Sequence, residues 1–421
     1  MKVEKKTAAN MEMGTAETDL RLGIYVQVPF CQTKCTYCNF HTGVVASSRF
    51  APYVEAVCRE IREHLELLKA AGVKWPEDFG TEVRQAHSQE WPCHKTAVDT
   101  VYIGGGTPSL LDPVHLKNIL ETIRETFDGK LEEVTLEADP ETIDAEKARA
   151  WVAAGINRVS FGVQSFVDKE LAAAGRMHRR ADIYRAVPIL REAGIQNISF
   201  DLIAGLPHQT KESWRQSLEE LIALMPEHVS IYLLEIDEGS RLGKELLQGG
   251  AKYSAGAVPA EDEMAEFYET GQVALEAAGY HHYEISNWAK PGYESRHNLK
   301  YWRREPYLGF GAGAHSFSGA QRWANEHDAA AYVTAVQGGR VPVDQLEAVT
   351  AESALEEALF LGLRQLGGID VEEIEKEYGA ALGPKLARLE AAGYVERSGG
   401  WVRLAKKKLS VSNEVFVELM K

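Results

Sequence analysis

The sequence predicts an α/β chain: an incomplete (β/α)6 barrel of the TIM type followed by a C-terminal helical, winged-helix-like domain. Length is the first reason. A chain of 421 residues is too long for one unit of average size, but holds a barrel of about 250 residues and an appendage. The second is alternation: between residues 23 and 234, short β-branched runs alternate with longer amphipathic stretches, as repeated βα units require. The third is a change of character near residue 351, where the chain becomes helical and acidic and ends with a hairpin signal. Candidate strands at 23–28, 100–103, 133–137, 158–163, 197–202 and 228–233 stop short of the eight that close a barrel.

The bulk numbers exclude several classes. Hydrophobic content of 45% with 26% charge is that of a globular chain able to bury a core. A net charge of −16 argues against a sequence-independent grip on nucleic acid or anionic lipid, which needs clustered Lys and Arg. No uncharged apolar run approaches the roughly 18 residues of a membrane span. Residues 1–20 read as a flexible arm without the apolar core of a secretory signal, and Glu4, Glu12, Glu17 and Asp19 count against a mitochondrial presequence. Three of the five cysteines crowd one loop, so there is no disulfide framework and a reducing, cytoplasmic setting is expected.

The first strand runs into Cys31-Gln32-Thr33-Lys34-Cys35-Thr36-Tyr37-Cys38. Such spacing lets three thiolates point into one pocket, and three sulfurs on a four-iron cluster leave one iron open for chemistry or a ligand. On spacing alone, zinc held with a histidine such as His41, or a redox pair of Cys35 and Cys38, stays open. Amphipathic helices are expected at 53–70, 114–126, 145–153, 184–193 and 213–224; Asp112-Pro113 supplies an acidic cap and a first-turn proline for the second. Between the first helix and the second strand, 73–97 reads as an insertion loop; its Cys93 is either a fourth cluster ligand or an incidental thiol. The second strand ends in Gly104-Gly105-Gly106-Thr107, a turn that lets backbone approach a ligand closely. Later strands end at Glu137, Gln164 and Asp201, three polar groups on the rim where parallel barrels place their active sites.

With the thiol loop and the glycine turn in place, the chain resembles the radical S-adenosylmethionine (SAM) enzymes. The resemblance implies a 4Fe-4S cluster on Cys31, Cys35 and Cys38, with SAM bound at the open iron and its methionine end along Gly104, Gly105, Gly106 and Thr107. The ordered segments around Tyr25, Gly104, Glu137, Gln164 and Asp201 are similar to the oxygen-independent coproporphyrinogen III oxidases and their relatives. Carried over, Glu137, Gln164, Arg176 and Asp201 hold the ribose, carboxylate and adenosine parts of SAM, and Tyr25 lies on the cofactor side. One departure chooses the branch and a second bears on the chemistry. Phe40 stands where true oxidases carry a further cysteine, which resembles the heme chaperone (HemW-like) branch. Gln27 stands where both branches usually show histidine, and an amide shuttles no proton near neutral pH.

Residues 279–288 read as one further strand, followed by Ser295-Arg296-His297-Asn298-Leu299-Lys300-Tyr301-Trp302. His297 beside two aromatics suits a heme ligand, and equally a hydrogen-bonded core histidine; the resemblance implies heme involvement. Residues 309–314 match a dinucleotide fingerprint in letters only, since neither a preceding buried strand nor a following helix is expected; His315 is a second ligand candidate. The expected division is 1–20 arm, 21–280 partial barrel, 281–345 heme- or substrate-associated extension, and 346–421 winged-helix-like unit. The implied function is a heme chaperone passing heme to apo-hemoproteins, with flavodoxin or ferredoxin as electron donor if radical chemistry occurs. A coproporphyrinogen III oxidase and a zinc-stabilised interaction protein are the alternatives.

Overall fold

Apolar runs covered on both faces become parallel strands. In the computed structural model, which describes residues 21–74 and 97–420, all six expected strands form: β1 (Leu22–Val28), β2 (Val98–Gly105), β3 (Glu133–Ala138), β4 (Arg158–Gln164), β5 (Asn197–Ala204) and β6 (His228–Leu233). They lie side by side in chain order and run parallel. The arm at 1–20 and the part of the expected insertion that holds Cys93 fall outside the described residues.

Helices α1 (Phe50–Ala70), α2 (Pro113–Thr126), α3 (Ala145–Ala154), α4 (Asp168–Ala173), α5 (Arg180–Ala193), α6 (Lys211–Leu224), α7 (Arg241–Leu247) and α8 (Glu261–Ala277) connect and cover these strands. Their ends follow the sequence signals. Asp112 accepts from the Val114 amide at the start of α2, Asp144 from Glu146 and Lys147 at the start of α3, and Gly155 closes α3 at φ +98°. Ile24, Val26, Trp151, Phe161, Phe200 and Trp214 are among the side chains sealed in the core.

The edges of the sheet differ from the expectation. Residues 279–288 are not one strand but a hairpin of β7 (His281–Glu284) and β8 (Asn287–Ala289), and β8 pairs antiparallel with β6. The break has a cause: the Glu284 carboxylate accepts from the Ser286 amide and from Asn287, and that local bonding makes a turn. After α9 (Arg296–Trp302), β9 (Tyr307–Phe310) enters the sheet as another parallel strand on the free side of β1. β10 (His315–Phe317), β11 (Gln321–Asn325) and, beyond α10 (Ala329–Gln337), β12 (Val343–Ala348) continue antiparallel. The result is one open twelve-stranded sheet. The glycine run after Leu308 leads into β10 rather than a helix, so it is no dinucleotide turn.

The C-terminal part is built from α11 (Ala351–Arg364), β13 (Ile369–Asp370), α12 (Val371–Tyr378), α13 (Gly383–Ala391), β14 (Val395–Ser398), β15 (Trp401–Leu404) and α14 (Ser412–Met420). Its three strands form a separate small sheet in the order β13-β15-β14, and the expected hairpin turns across Gly399 and Gly400.

Candidate functional site

The thiol loop leaves the C-terminal end of β1 and is tied down on three sides. Cys31 donates its amide to Gly43 O at 3.0 Å, Thr36 to Ala174 O at 3.0 Å, and Leu242 to Thr36 O at 2.8 Å. Cys31, Cys35 and Cys38 are half-buried free thiols on the wall of one cavity of about 670 Å³, at the C-terminal ends of the parallel strands. Burial pushes the Cys31 and Cys35 thiols up; the Thr42 and Thr107 hydroxyls draw Cys31 back, and Arg176, 3.6 Å from the Cys35 sulfur, draws Cys35 back. Among the described residues no three such side chains converge on a single ion. A cubane asks for something else, one thiolate for each of three irons, and this soft donor set fits it.

The glycine turn forms the floor. A Cβ on Gly106 would stand 2.5 Å from Phe30 O, and one on Gly105, at φ +111°, would stand 2.6 Å from the Gln27 amide. Only glycine fits there. Glu137, deep in the same cavity, accepts from Tyr102 OH and from the Gly105 amide, each at 2.9 Å. Burial lifts its carboxyl to about 7, and these two donors limit the rise. Burial also raises Asp201, which accepts from Ser160 at 3.1 Å. Gln164 lines the cavity in a left-handed conformation, φ +62°, rare for a residue with a side chain.

Arg176 reaches the cavity with a carboxylate partner already in the chain. Its Nη2 pairs with Asp139 and donates to Gly162 O at 2.9 Å, while Nε meets His178 Nδ1 at 3.4 Å. Thr107 Oγ1 donates to the other Asp139 oxygen at 3.1 Å. Asp139 and His178 were not singled out from sequence; the acidic-proline step Ala138-Asp139-Pro140 was the available signal.

His297 takes a different place. It is 1% exposed and bonded at both ring nitrogens, Nδ1 to Thr100 Oγ1 at 3.0 Å and Nε2 to Tyr301 OH at 2.8 Å. Glu133 accepts the amides of Arg296 and His297, each at 3.0 Å, capping α9, and burial, Lys300 and Arg158 hold the imidazole down to about 3. The structure thus makes it a neutral, fully bonded core group beneath Tyr102, and not a wall of either large cavity. Tyr25 is likewise no wall of the thiol cavity: it donates to Gln27 Oε1 at 2.8 Å and lines a second cavity of about 620 Å³. Phe40, Gly105 and Glu137 line both cavities.

Residues 25–221 match the model of the Radical SAM superfamily, and residues 349–407 match the HemN C-terminal domain. The chain is similar to the heme chaperone HemW of Bacillus subtilis, 34% identical over 93% of this chain and 97% of the relative. The chain belongs to the HemW family. The HemW of Synechocystis sp. is 36% identical over 85% of this chain and 81% of its own. Among solved structures, coproporphyrinogen III oxidase (HemN) from Escherichia coli aligns with a TM-score of 0.75 at 21% identity, over 96% of this chain and 90% of that one. That likeness concerns the fold. No described helix of this HemW-family chain is long and apolar enough to cross a membrane.

Proposed function

We propose that this protein holds heme and hands it to apo-hemoproteins, on a scaffold that carries a 4Fe-4S cluster and SAM. The observation that carries the reading is the similarity over almost the whole of both chains to a heme chaperone. Cys31, Cys35 and Cys38 are the proposed cluster ligands. Bound there, the cluster supplies an iron with an open position for SAM. The chain's own residues do the rest. Gly104, Gly105, Gly106 and Thr107 give the nucleotide room, Glu137 accepts from its ribose hydroxyls once ionised, and Gln164, Arg176 and Asp201 orient its other polar ends. Asp139 and His178 hold Arg176 in place. We place the protein in the cytoplasm, with flavodoxin or ferredoxin as the donor if SAM is cleaved.

The test is anaerobic reconstitution, assay of iron and sulfide, titration with hemin, and transfer of the bound heme to an apo-hemoprotein. Iron, sulfide and a Soret band that moves to the acceptor support the reading. Conversion of coproporphyrinogen III to protoporphyrinogen IX under the same conditions would overturn it in favour of the oxidase. A zinc-containing, iron-free preparation would end both.

A further inference from the structure

The second cavity has the chemistry of a porphyrin seat. Its wall is aromatic: Tyr301 and Tyr307 meet edge to face at 4.6 Å, and Phe317 follows at 6.2 Å from Tyr307. Flat π ligands are gripped by such offset and edge contacts. Its volume of about 620 Å³ falls within the range of cofactor pockets. Among the described residues, two buried donors in this region have no partner, Trp302 Nε1 and Arg304 Nη2, although both residues line the cavity. Unsatisfied buried donors are costly, and a carboxylate-bearing ligand would remove that cost. Arg304 and Arg322 both pair with one carboxylate, Glu357 of α11; the other carboxylates on the wall are engaged elsewhere, Glu305 with Lys300 and Glu137 with Tyr102 and the Gly105 amide.

Imidazoles gather at the same cavity. His41 and His315 line it, and His327 has its ring 4.5 Å from that of His41 and a buried Nδ1 without a partner among the described residues. His315 and Phe317 are two residues apart on β10 and so share a face. A neutral imidazole with a free nitrogen is what heme iron takes, whereas His297 has both nitrogens engaged.

We propose that the second cavity is where heme sits, with His315 as the protein ligand to iron, the porphyrin against Tyr301, Tyr307 and Phe317, and the propionates toward Arg304 and Trp302. This rests on the heme-chaperone reading and adds the place and the ligand. It separates the cargo from the SAM cavity while leaving the two in contact through Phe40, Gly105 and Glu137.

The experiment uses the full chain, anaerobically reconstituted, titrated with hemin and, separately, with metal-free protoporphyrin IX. His315→Ala is expected to shift the Soret band and weaken hemin binding about tenfold or more, with protoporphyrin affinity within about threefold of the parent. Free imidazole is expected to restore the parent Soret position in His315→Gly. His315 is exposed, so neither variant should disturb folding. An unchanged Soret band in His315→Ala, or a shift seen only in His41→Ala, overturns the assignment while the chaperone reading stands. Failure of the parent protein to bind hemin overturns both.

Discussion

The two cavities are neighbours built on opposite plans. The thiol cavity takes its chemistry from short segments at the ends of parallel strands, which announce themselves locally as a cysteine triplet, a glycine run and an acidic strand end, while Tyr268, Ser286, Arg364 and Ser412 line it from later elements. The aromatic cavity is assembled from distant pieces, Tyr25 of β1, the loop at Phe40 and His41, α9, the β9–β10 hairpin, and Glu357 and Phe360 of α11. The contrast teaches that ligand chemistry placed at strand ends can be read as motifs. A hydrophobic seat formed between packed elements exists only in the tertiary structure.

The strongest way to sharpen the contrast is to remove one plan and watch the other. Replacing Cys31, Cys35 and Cys38 together by serine is expected to abolish iron and sulfide retention, while hemin affinity stays within about threefold. Parallel loss of hemin binding would mean that the cavities are a single site. Next in size is Gly106→Ala, whose Cβ would press on Phe30 O at 2.5 Å. A loss of about 1–3 kcal/mol in urea unfolding is expected from such overpacking, together with poorer cluster retention; parent-like stability would show that the turn yields.

The Glu137 carboxyl, lifted to about 7 by burial, is protonated below that pH and cannot then accept two ribose hydroxyls. SAM binding measured by calorimetry should therefore strengthen as pH rises through 7, and Glu137→Gln should bind weakly with a flat profile. A parent profile flat between pH 6 and 8 would remove Glu137 from the nucleotide site. On the aromatic side, Glu60 is buried beneath the loop that leads to His315, accepting from Gly311 N, Tyr332 and Asn325 at 2.9, 2.6 and 2.6 Å. Burial raises it from 4.5 to about 7, so its protonated form is favoured by folding. Stability should be greatest below about 4.5 on this account and fall as pH rises through 7, and Glu60→Gln should flatten that decline in thermal melts. The smallest effect is expected for Lys406→Ala, which removes an exposed ion pair with Glu276 at 2.8 Å between the C-terminal part and α8. A change of about 0–1 kcal/mol is expected, and a larger one would show that this contact governs docking.

Much of this was legible because parallel strands are covered on both faces and therefore read as plain apolar runs. The six central strands, the helices between them and the thiol loop follow from that. The edges did not. β9 spans only Tyr307–Phe310 and contains a glycine, too short for a period to register, and the β7–β8 turn depends on Glu284 bonding its own neighbours. His297 stood out, and its bond to Tyr301 four residues on is local, yet its other partners Thr100 and Glu133 lie 197 and 164 residues away, so the sequence left the heme-ligand and buried-core readings both open. Arg176 is expected by resemblance to hold part of SAM, and its partner within the chain, Asp139, lies 37 residues upstream, beyond any local pattern.

The position of β9 bears on how the molecule is made. β1 hosts the thiol loop and is flanked by β2 on one side and β9 on the other. A growing chain on the ribosome therefore carries β1 with one bare edge until residues near 310 emerge, and apolar edges of this kind invite wrong pairing. The thiol loop is synthesised about 270 residues before the strand that completes its support.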